Sequence, residues 1–131
     1  MKRIVIADDS ATARMFVQRC LEIAGLSDAE FVLAGNGVEA LAAMRVARTH
    51  LLVTDLTMPE MDGLELVRRV AASPRLNGTP VLVVSSSTND AVRDQLLQAC
   101  AHSVLKKPIS PPVVIEALES LRFLEEDPLD S

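Results

Sequence analysis

The chain has 131 residues and a net charge of −5, and 49% of its residues are hydrophobic although only 2% are aromatic. This length predicts one domain whose core is filled by aliphatic side chains, and the acidic charge argues against a nucleic-acid surface, which needs a basic patch. No apolar run reaches the roughly 20 residues of a membrane span, and two early aspartates interrupt the first apolar stretch too soon for a signal peptide.

The first part of the chain alternates short apolar runs with helical periods. Arg3–Ala7 predicts a strand, and Ser10 can cap the next helix, which Gly25 ends. Glu30–Ala34 predicts a second, weaker strand, and the run GNGVEALAAMRVA at 35–47 predicts a turn followed by a helix. The apolar stripe of the first helix consists of Ala13, Phe16, Val17, Cys20, Leu21 and Ala24.

The same alternation continues to the end of the chain. The third strand, HLLVTD, is apolar throughout and is therefore expected at the centre of the sheet. The later elements are a helix at 63–73, a strand at 79–87, a helix at 89–100, a strand at 103–106 and a helix from 110 to 126. This pattern predicts an α/β fold with a doubly wound five-stranded parallel sheet, five helices and flavodoxin-like topology. We expect one domain at residues 1–124 and an acidic, flexible tail at 125–131.

Two cysteines bear on the cellular compartment. Cys20 and Cys100 both lie in apolar helical patterns. We expect both to be buried free thiols, rather than a disulfide or a metal pair, in a cytoplasmic protein.

Unusual polar residues follow four of the five predicted strands. Asp8 and Asp9 follow the first strand, Asp55 ends the third, Ser85 ends the fourth and Lys107 ends the fifth. Because functional sites of doubly wound sheets form at the carboxyl ends of the strands, these side chains are expected to converge at one edge.

The three carboxylates require a compensating charge. Two of them about 5 Å apart repel each other by roughly 3 kcal/mol at an effective dielectric constant near 20. Hard oxygen ligands with open water positions suit Mg²⁺, and a metal held in this way is usually there to meet a phosphate. Taken singly, Asp8 and Asp9 could instead be helix caps, and Asp55 could simply start a turn.

Two further residues suit phosphate chemistry. Lys107 supplies a positive charge and Ser85 a hydroxyl donor for phosphoryl oxygens, although alone they would be a surface lysine and a polar strand end. Lys106 competes with Lys107, but side chains alternate along a strand, and the residue just before Pro108 is favoured. Because the sequence has no phosphate loop and no evident catalytic His or Cys–His pair, Asp55 is the natural nucleophile.

The segments ADDS, VTDLTMPEMDG, VLVVSSS and LKKP occur in that order and resemble the receiver domain of two-component response regulators, most closely the single-domain, chemotaxis-type members. The resemblance runs from about Arg3 to Leu124. It implies that Asp55 accepts a phosphoryl group from the phosphohistidine of a sensor histidine kinase or phosphotransfer protein. It also implies that Ser85 and Lys107 hold the phosphoryl oxygens.

The resemblance further implies the metal ligands. Asp9 and Asp55 would bind Mg²⁺ directly, together with the backbone carbonyl of Thr57, and Asp8 would act through water. The Lys107–Pro108 peptide bond would be cis.

One departure concerns the route of the signal. The family often has Tyr or Phe three residues before its lysine, whereas this chain has Val104. The leading hypothesis is a monomeric signalling switch, not an enzyme in the usual sense, that binds a downstream protein. A phosphate sink or relay shuttle without its own output is the alternative. A phosphatase of the haloacid dehalogenase type would need an Asp where Thr57 stands, and a flavin-binding flavodoxin would need aromatic residues that are missing.

Overall fold

Five parallel strands form one sheet with helices on both faces in the computed structural model, which describes residues 2–125. The elements are β1 (Arg3–Ala7), α1 (Ala11–Leu21), β2 (Glu30–Ala34), α2 (Gly37–Val46), β3 (Leu51–Asp55), α3 (Gly63–Ala72), β4 (Val81–Ser85), α4 (Asp90–Gln98), β5 (Ser103–Lys106) and α5 (Pro111–Glu125). The strand order is β2-β1-β3-β4-β5, which confirms the predicted doubly wound fold. Apart from Glu125 in α5, the predicted tail at 125–131 lies outside the described residues. No helix within residues 2–125 is long and apolar enough to cross a membrane.

The sheet separates two layers of aliphatic core. In β1, Val5 belongs to the core layer that includes residues of α2, α3 and α4, whereas Ile4 and Ile6 belong to the layer that includes residues of α1 and α5. The central strands β3 and β4 are buried on both faces, from Leu51 to Thr54 and throughout β4. Continuous apolar runs are typical of parallel strands covered on both sides.

Side-chain caps start four of the helices at the carboxyl-end edge of the sheet. Ser10, Asn36, Asp62 and Asn89 each accept a hydrogen bond from the backbone N–H three residues further on, at 2.8–3.2 Å. Each such cap stabilises its helix by about 1 kcal/mol. The caps hold the strand-to-helix turns in which the candidate site residues lie.

The first helix departs from its prediction in two ways. It ends at Leu21 and continues as a π-helical segment, Glu22–Leu26, in which Gly25 has a φ of 110°. Phe16 is 50% exposed, so its place in the predicted apolar stripe is wrong. At about 100° per residue, Phe16 lies some 80° from the middle of that stripe, where the covering core ends.

The two cysteines differ in their surroundings. Cys20 is buried in α1, as predicted, and burial raises the pKa of its thiol. Cys100 is also a free thiol, as predicted, but its predicted burial is wrong, because this residue is exposed. The helix α4 ends at Gln98, and Cys100 has a φ of 80°, a left-handed conformation that follows the helix and takes its side chain out of the apolar pattern.

A buried arginine lies at the opposite edge of the sheet, at the start of β1. Arg3 is only 9% exposed. Its Nη1 donates to the carbonyl oxygens of Ala43 and Ala47 at 2.9 and 3.2 Å and to Thr49 Oγ1 at 3.0 Å. The guanidinium group therefore caps the carboxyl end of α2, where a positive charge is favourable.

Candidate functional site

The acidic pair after β1 consists of one buried and one exposed carboxylate. The Asp8 N–H donates to the Ala34 carbonyl at 3.0 Å, which extends the pairing of β1 with β2. The Asp8 carboxylate Oδ1 accepts a hydrogen bond from the Ser10 N–H at 2.9 Å. Asp8 is 3% exposed, whereas Asp9 is exposed. The turn into α1 thus fixes Asp8 and presents Asp9 to solvent.

Asp55 ends the central strand β3 with one carboxylate oxygen already held. Its Oδ1 accepts the Leu56 N–H at 2.7 Å, and its Oδ2 lies 3.3 Å from the Lys107 Nζ. The loop that follows packs directly on this strand end, where the Gly63 N–H donates to the Leu56 carbonyl at 2.7 Å. A Cβ on Gly63 would lie 2.3 Å from the Asp55 carbonyl oxygen, so only glycine fits.

Lys107 joins the buried carboxylate of Asp8 to the partly buried carboxylate of Asp55. Its Nζ donates to Asp8 Oδ2 at 2.9 Å and to Asp55 Oδ2 at 3.3 Å. Lys106, the competing candidate, is exposed at the end of β5. The structure therefore places Lys107, and not Lys106, beside Asp8 and Asp55, and the Lys107–Pro108 bond is cis, as the resemblance implies.

The surroundings of Lys107 keep it positively charged. Burial lowers its pKa, but the hydrogen bond to Asp8 and the charges of Asp55 and Asp8 outweigh burial. The pKa of Lys107 consequently lies above its ordinary value.

The acidic cluster keeps an excess of negative charge. Asp8, Asp9 and Asp55 each offer a carboxylate oxygen, and these oxygens lie within 4.8 Å of one another. At that distance each ionised pair repels by about 3.5 kcal/mol at an effective dielectric constant of 20. The three carboxylates outnumber the two cations beside them, the Lys107 ammonium group and the Arg14 guanidinium group, which contacts the Asp8 carbonyl. The donor set consists of hard oxygen atoms and the cluster stays negative, so these residues could hold a divalent cation.

Ser85 and Thr57 flank this cluster. Ser85 ends β4 and is 1% exposed, and its Oγ accepts the Ser87 N–H at 3.2 Å. Its carbonyl accepts the Lys107 N–H at 2.9 Å, which ties β4 to the lysine. Thr57 lies in the β3–α3 loop with an exposed side chain. The roles assigned to the Ser85 hydroxyl and the Thr57 carbonyl stay predictions.

Arg14 is a site residue that the sequence reasoning missed. Its Nη1 donates to the Asp8 carbonyl oxygen at 2.6 Å. Arg14 lies four residues after the cap Ser10, and side chains in the first turns of a helix point back toward its N-terminus. That spacing is the signal that would have placed Arg14 beside the end of β1.

An apolar groove of about 540 Å³ lies beside the site. Its wall includes Phe16 of α1, Pro108, Ile109 and the lysine Lys107. The exposed ring of Phe16 therefore belongs to a surface that adjoins the acidic cluster.

Comparison with known proteins gives one consistent result. The family model for the response regulator receiver domain matches residues 4–119. The chain is 34% identical over 118 residues to chemotaxis protein CheY1 of Helicobacter pylori strain J99, covering 89% of this chain and 94% of that protein. It is 34% identical over 122 residues to chemotaxis protein CheY of Pseudomonas aeruginosa, covering 91% and 94%. The solved structure of CheY4 of Vibrio cholerae has a TM-score of 0.81 and 30% identity, covering 92% of this chain and 98% of that one.

Proposed function

The chain belongs to the response regulator receiver domain family, and we propose that it is a phosphoacceptor switch in which Asp55 receives the phosphoryl group. The identity of 34% to each of two chemotaxis proteins confirms the predicted resemblance to chemotaxis-type receivers. Receiver domains are signalling domains rather than classical enzymes. The observation that carries the proposal is the position of Asp55 Oδ2, at the end of the central strand and 3.3 Å from the Lys107 ammonium group.

The proposed transfer starts from a phosphohistidine on a sensor histidine kinase or phosphotransfer protein. A carboxylate oxygen of Asp55 attacks the phosphorus, the phosphorus–nitrogen bond breaks, and its electron pair stays on the histidine nitrogen. We assign Oδ2 as the reacting oxygen because it lies 3.3 Å from Lys107, which would hold the phosphoryl oxygens, whereas Oδ1 accepts the Leu56 N–H at 2.7 Å. The Lys107 ammonium group then offsets negative charge on the phosphoryl oxygens, and the Ser85 hydroxyl donates a hydrogen bond to them.

We propose Mg²⁺ as the cofactor. Asp9, Asp55 and the Thr57 carbonyl would hold it directly. The family resemblance implies that Asp8 would act through water. The ion would supply positive charge for the incoming phosphoryl oxygens.

The donor is proposed to approach over the apolar groove. This groove contains Lys107 and the exposed Phe16, so a partner seated on it would bring its phosphohistidine to the acidic cluster. The proposal includes a monomer that acts in the cytoplasm and passes the signal to a downstream protein.

The path by which phosphorylation would reach a downstream protein is unusual, because Val104 stands where the family often has Tyr or Phe. This side chain is partly buried, packs on the α2–α4 side of the core and pairs with Val83 across β4 and β5. Valine is stiff at χ1 and offers no ring to turn inward. We propose that the loop Ser85–Asn89 carries the change instead and that the preference of the partner for the phosphorylated form is about 1–2 kcal/mol.

The same observation favours a second candidate function. A receiver with weak coupling at Val104 would serve as a phosphate sink or relay shuttle without its own output. Crystal structures with and without beryllofluoride, which mimics the phosphoryl group, separate the two functions. The switch predicts a shifted Ser85–Asn89 loop with one Val104 rotamer, and an unmoved loop would favour the sink.

The dependence of phosphorylation on Mg²⁺ tests the proposed role of the metal. Acetyl phosphate should phosphorylate the protein with Mg²⁺ and hardly at all after the metal is removed, because the uncompensated carboxylates repel the donor. Asp9→Ala should weaken Mg²⁺ binding more than Asp8→Ala in a calorimetric titration. Equal, negligible losses in the two variants would contradict the ligand assignment.

A further inference from the structure

We propose that a groove at the opposite edge of the sheet binds a small phosphate-bearing anion. This basic groove has a volume of about 490 Å³ and lies between the α2–β3 connection, residues 47–50, and the α3–β4 loop, residues 75–80. Both segments precede strands of the parallel sheet, whereas Asp55 ends one. The site is therefore separate from the phosphoacceptor site and does not depend on the function proposed for it.

Two arginines without partners line the basic groove. Arg48 and Arg75 are exposed, and within residues 2–125 neither guanidinium group has an ion-pair or hydrogen-bond partner. No Asp or Glu lines the groove, although the chain has 18 acidic residues against 13 Lys and Arg. The wall is thus a local concentration of positive charge on an acidic protein.

A buried cation directly behind the wall adds to this field. Two acceptors of the Arg3 guanidinium group, the Ala47 carbonyl and Thr49 Oγ1, belong to residues that line the groove. In the described part of the chain Arg3 has no carboxylate partner, only these oxygens and the Ala43 carbonyl. Buried charges are normally paired, and carbonyl dipoles do not neutralise a net charge. An anion in the groove would supply the missing negative charge.

The chemistry of the wall suits phosphate. The planar guanidinium group matches two phosphoryl oxygens at once, and such charge-assisted pairs are stronger than neutral hydrogen bonds. Asn77 and Thr79 add polar side chains, and the volume lies within the range of small-ligand sites. The positive charge repels a metal ion. The acidic surface elsewhere opposes a long nucleic acid, which leaves a compact anion as the occupant.

Calorimetry with pyrophosphate and with ADP, in magnesium-free buffer of low ionic strength, tests the proposal. We expect millimolar or tighter binding of pyrophosphate that weakens with added salt. Arg48→Gln and Arg75→Gln should each raise the dissociation constant about tenfold or more. Arg93→Gln, which removes an exposed arginine of α4 outside the groove, is the matched control and should leave binding unchanged.

The same samples show where the anion binds and whether a free phosphate compound or a nucleotide is the better ligand. Amide NMR shifts on titration should occur at residues 47–50 and 75–79 and should persist in Asp55→Asn, which alters only the other site. Equal affinity for pyrophosphate and ADP would show that the site recognises the phosphoryl groups alone. Tighter binding of ADP would show that the site also contacts the nucleoside. An absence of binding, or an equal loss in Arg93→Gln, would overturn the proposal.

Discussion

Replacing Lys107 with methionine removes the positive charge between two carboxylates while keeping most of the side-chain length. The ammonium group lies 2.9 Å from Asp8 Oδ2 and 3.3 Å from Asp55 Oδ2. The neighbouring Lys106 is exposed and belongs to no ion pair within residues 2–125, so Lys106→Met is a matched control. Comparing the two variants separates the effect of losing the charge at the site from the general effect of replacing a lysine with methionine.

The expected loss of stability follows from the geometry. At an effective dielectric constant of 20 the two attractions of Lys107 are about 6 and 5 kcal/mol before the desolvation of the charges is counted. Breaking a buried pair typically costs about 3–5 kcal/mol. The Lys107 side chain is 26% exposed, and solvent screens part of the interaction. We therefore expect Lys107→Met to lower the free energy of unfolding by about 2 kcal/mol in metal-free buffer.

The same substitution should strengthen metal binding. Lys107 competes with a cation for the Asp8 and Asp55 carboxylates, so its removal should tighten Mg²⁺ binding by up to about 30-fold, the equivalent of 2 kcal/mol. Phosphorylation should nevertheless become slower, because the phosphoryl oxygens lose the ammonium group.

Urea unfolding followed by circular dichroism measures the stability, and calorimetry measures Mg²⁺ binding. The chain has no Trp and no Tyr, which excludes their intrinsic fluorescence as a probe. If Lys107→Met is as stable as Lys106→Met without metal, or binds Mg²⁺ more weakly than the wild type, the electrostatic reasoning is refuted.

Three further predictions follow from the geometry. Folding raises the pKa of Lys107, so the stabilisation that its charge provides is complete below about pH 10.4, the ordinary pKa of lysine. This stabilisation is lost as the pH rises through the pKa of Lys107 in the folded protein. The urea midpoints of the wild type and Lys107→Met should therefore converge only in strong alkali. Gly63→Ala places a Cβ 2.3 Å from the Asp55 carbonyl and should cost about 1–3 kcal/mol in urea unfolding, together with slower phosphorylation; an unchanged midpoint would contradict this. A thiol reagent at neutral pH should label exposed Cys100 quickly and buried Cys20 only in urea, whereas rapid labelling of a Cys100→Ser variant would show that Cys20 is accessible.

The sheet and the cluster were predictable because they depend on short-range patterns. Apolar runs in alternation with helical periods dictate a parallel sheet, and a parallel sheet brings all strand ends to one edge. The positions of Asp8, Asp55 and Lys107 follow from that rule alone, and their oxygen and nitrogen atoms indeed meet. The preference for Lys107 over Lys106 came from two local features, the alternation of side chains along a strand and the position just before Pro108.

The features that were missed depend on contacts between distant segments. Phe16 belongs to an apolar period but lies where the core layer ends, and only the packing of α1 shows that its ring is exposed. Cys100 follows a helical pattern, but the chain leaves the helix just before it. Arg3 finds its acceptors, two backbone carbonyls and the Thr49 hydroxyl, 40 to 46 residues away, and nothing in the local sequence indicates these partners. The hydrophobic periodicity of one segment does not show where the helix layer that covers it ends. Nor does it show which backbone carbonyl groups remain available as hydrogen-bond acceptors.

Phosphorylation of Asp55 is tested most directly by intact-mass spectrometry after incubation with acetyl phosphate and Mg²⁺. The variant Asp55→Asn is compared with Asp62→Asn, which makes the same change at the exposed cap of α3, where Asn caps equally well. We predict that the wild type and Asp62→Asn gain one phosphoryl group, which hydroxylamine removes, and that Asp55→Asn gains none. Full labelling of Asp55→Asn would contradict the assignment of the acceptor.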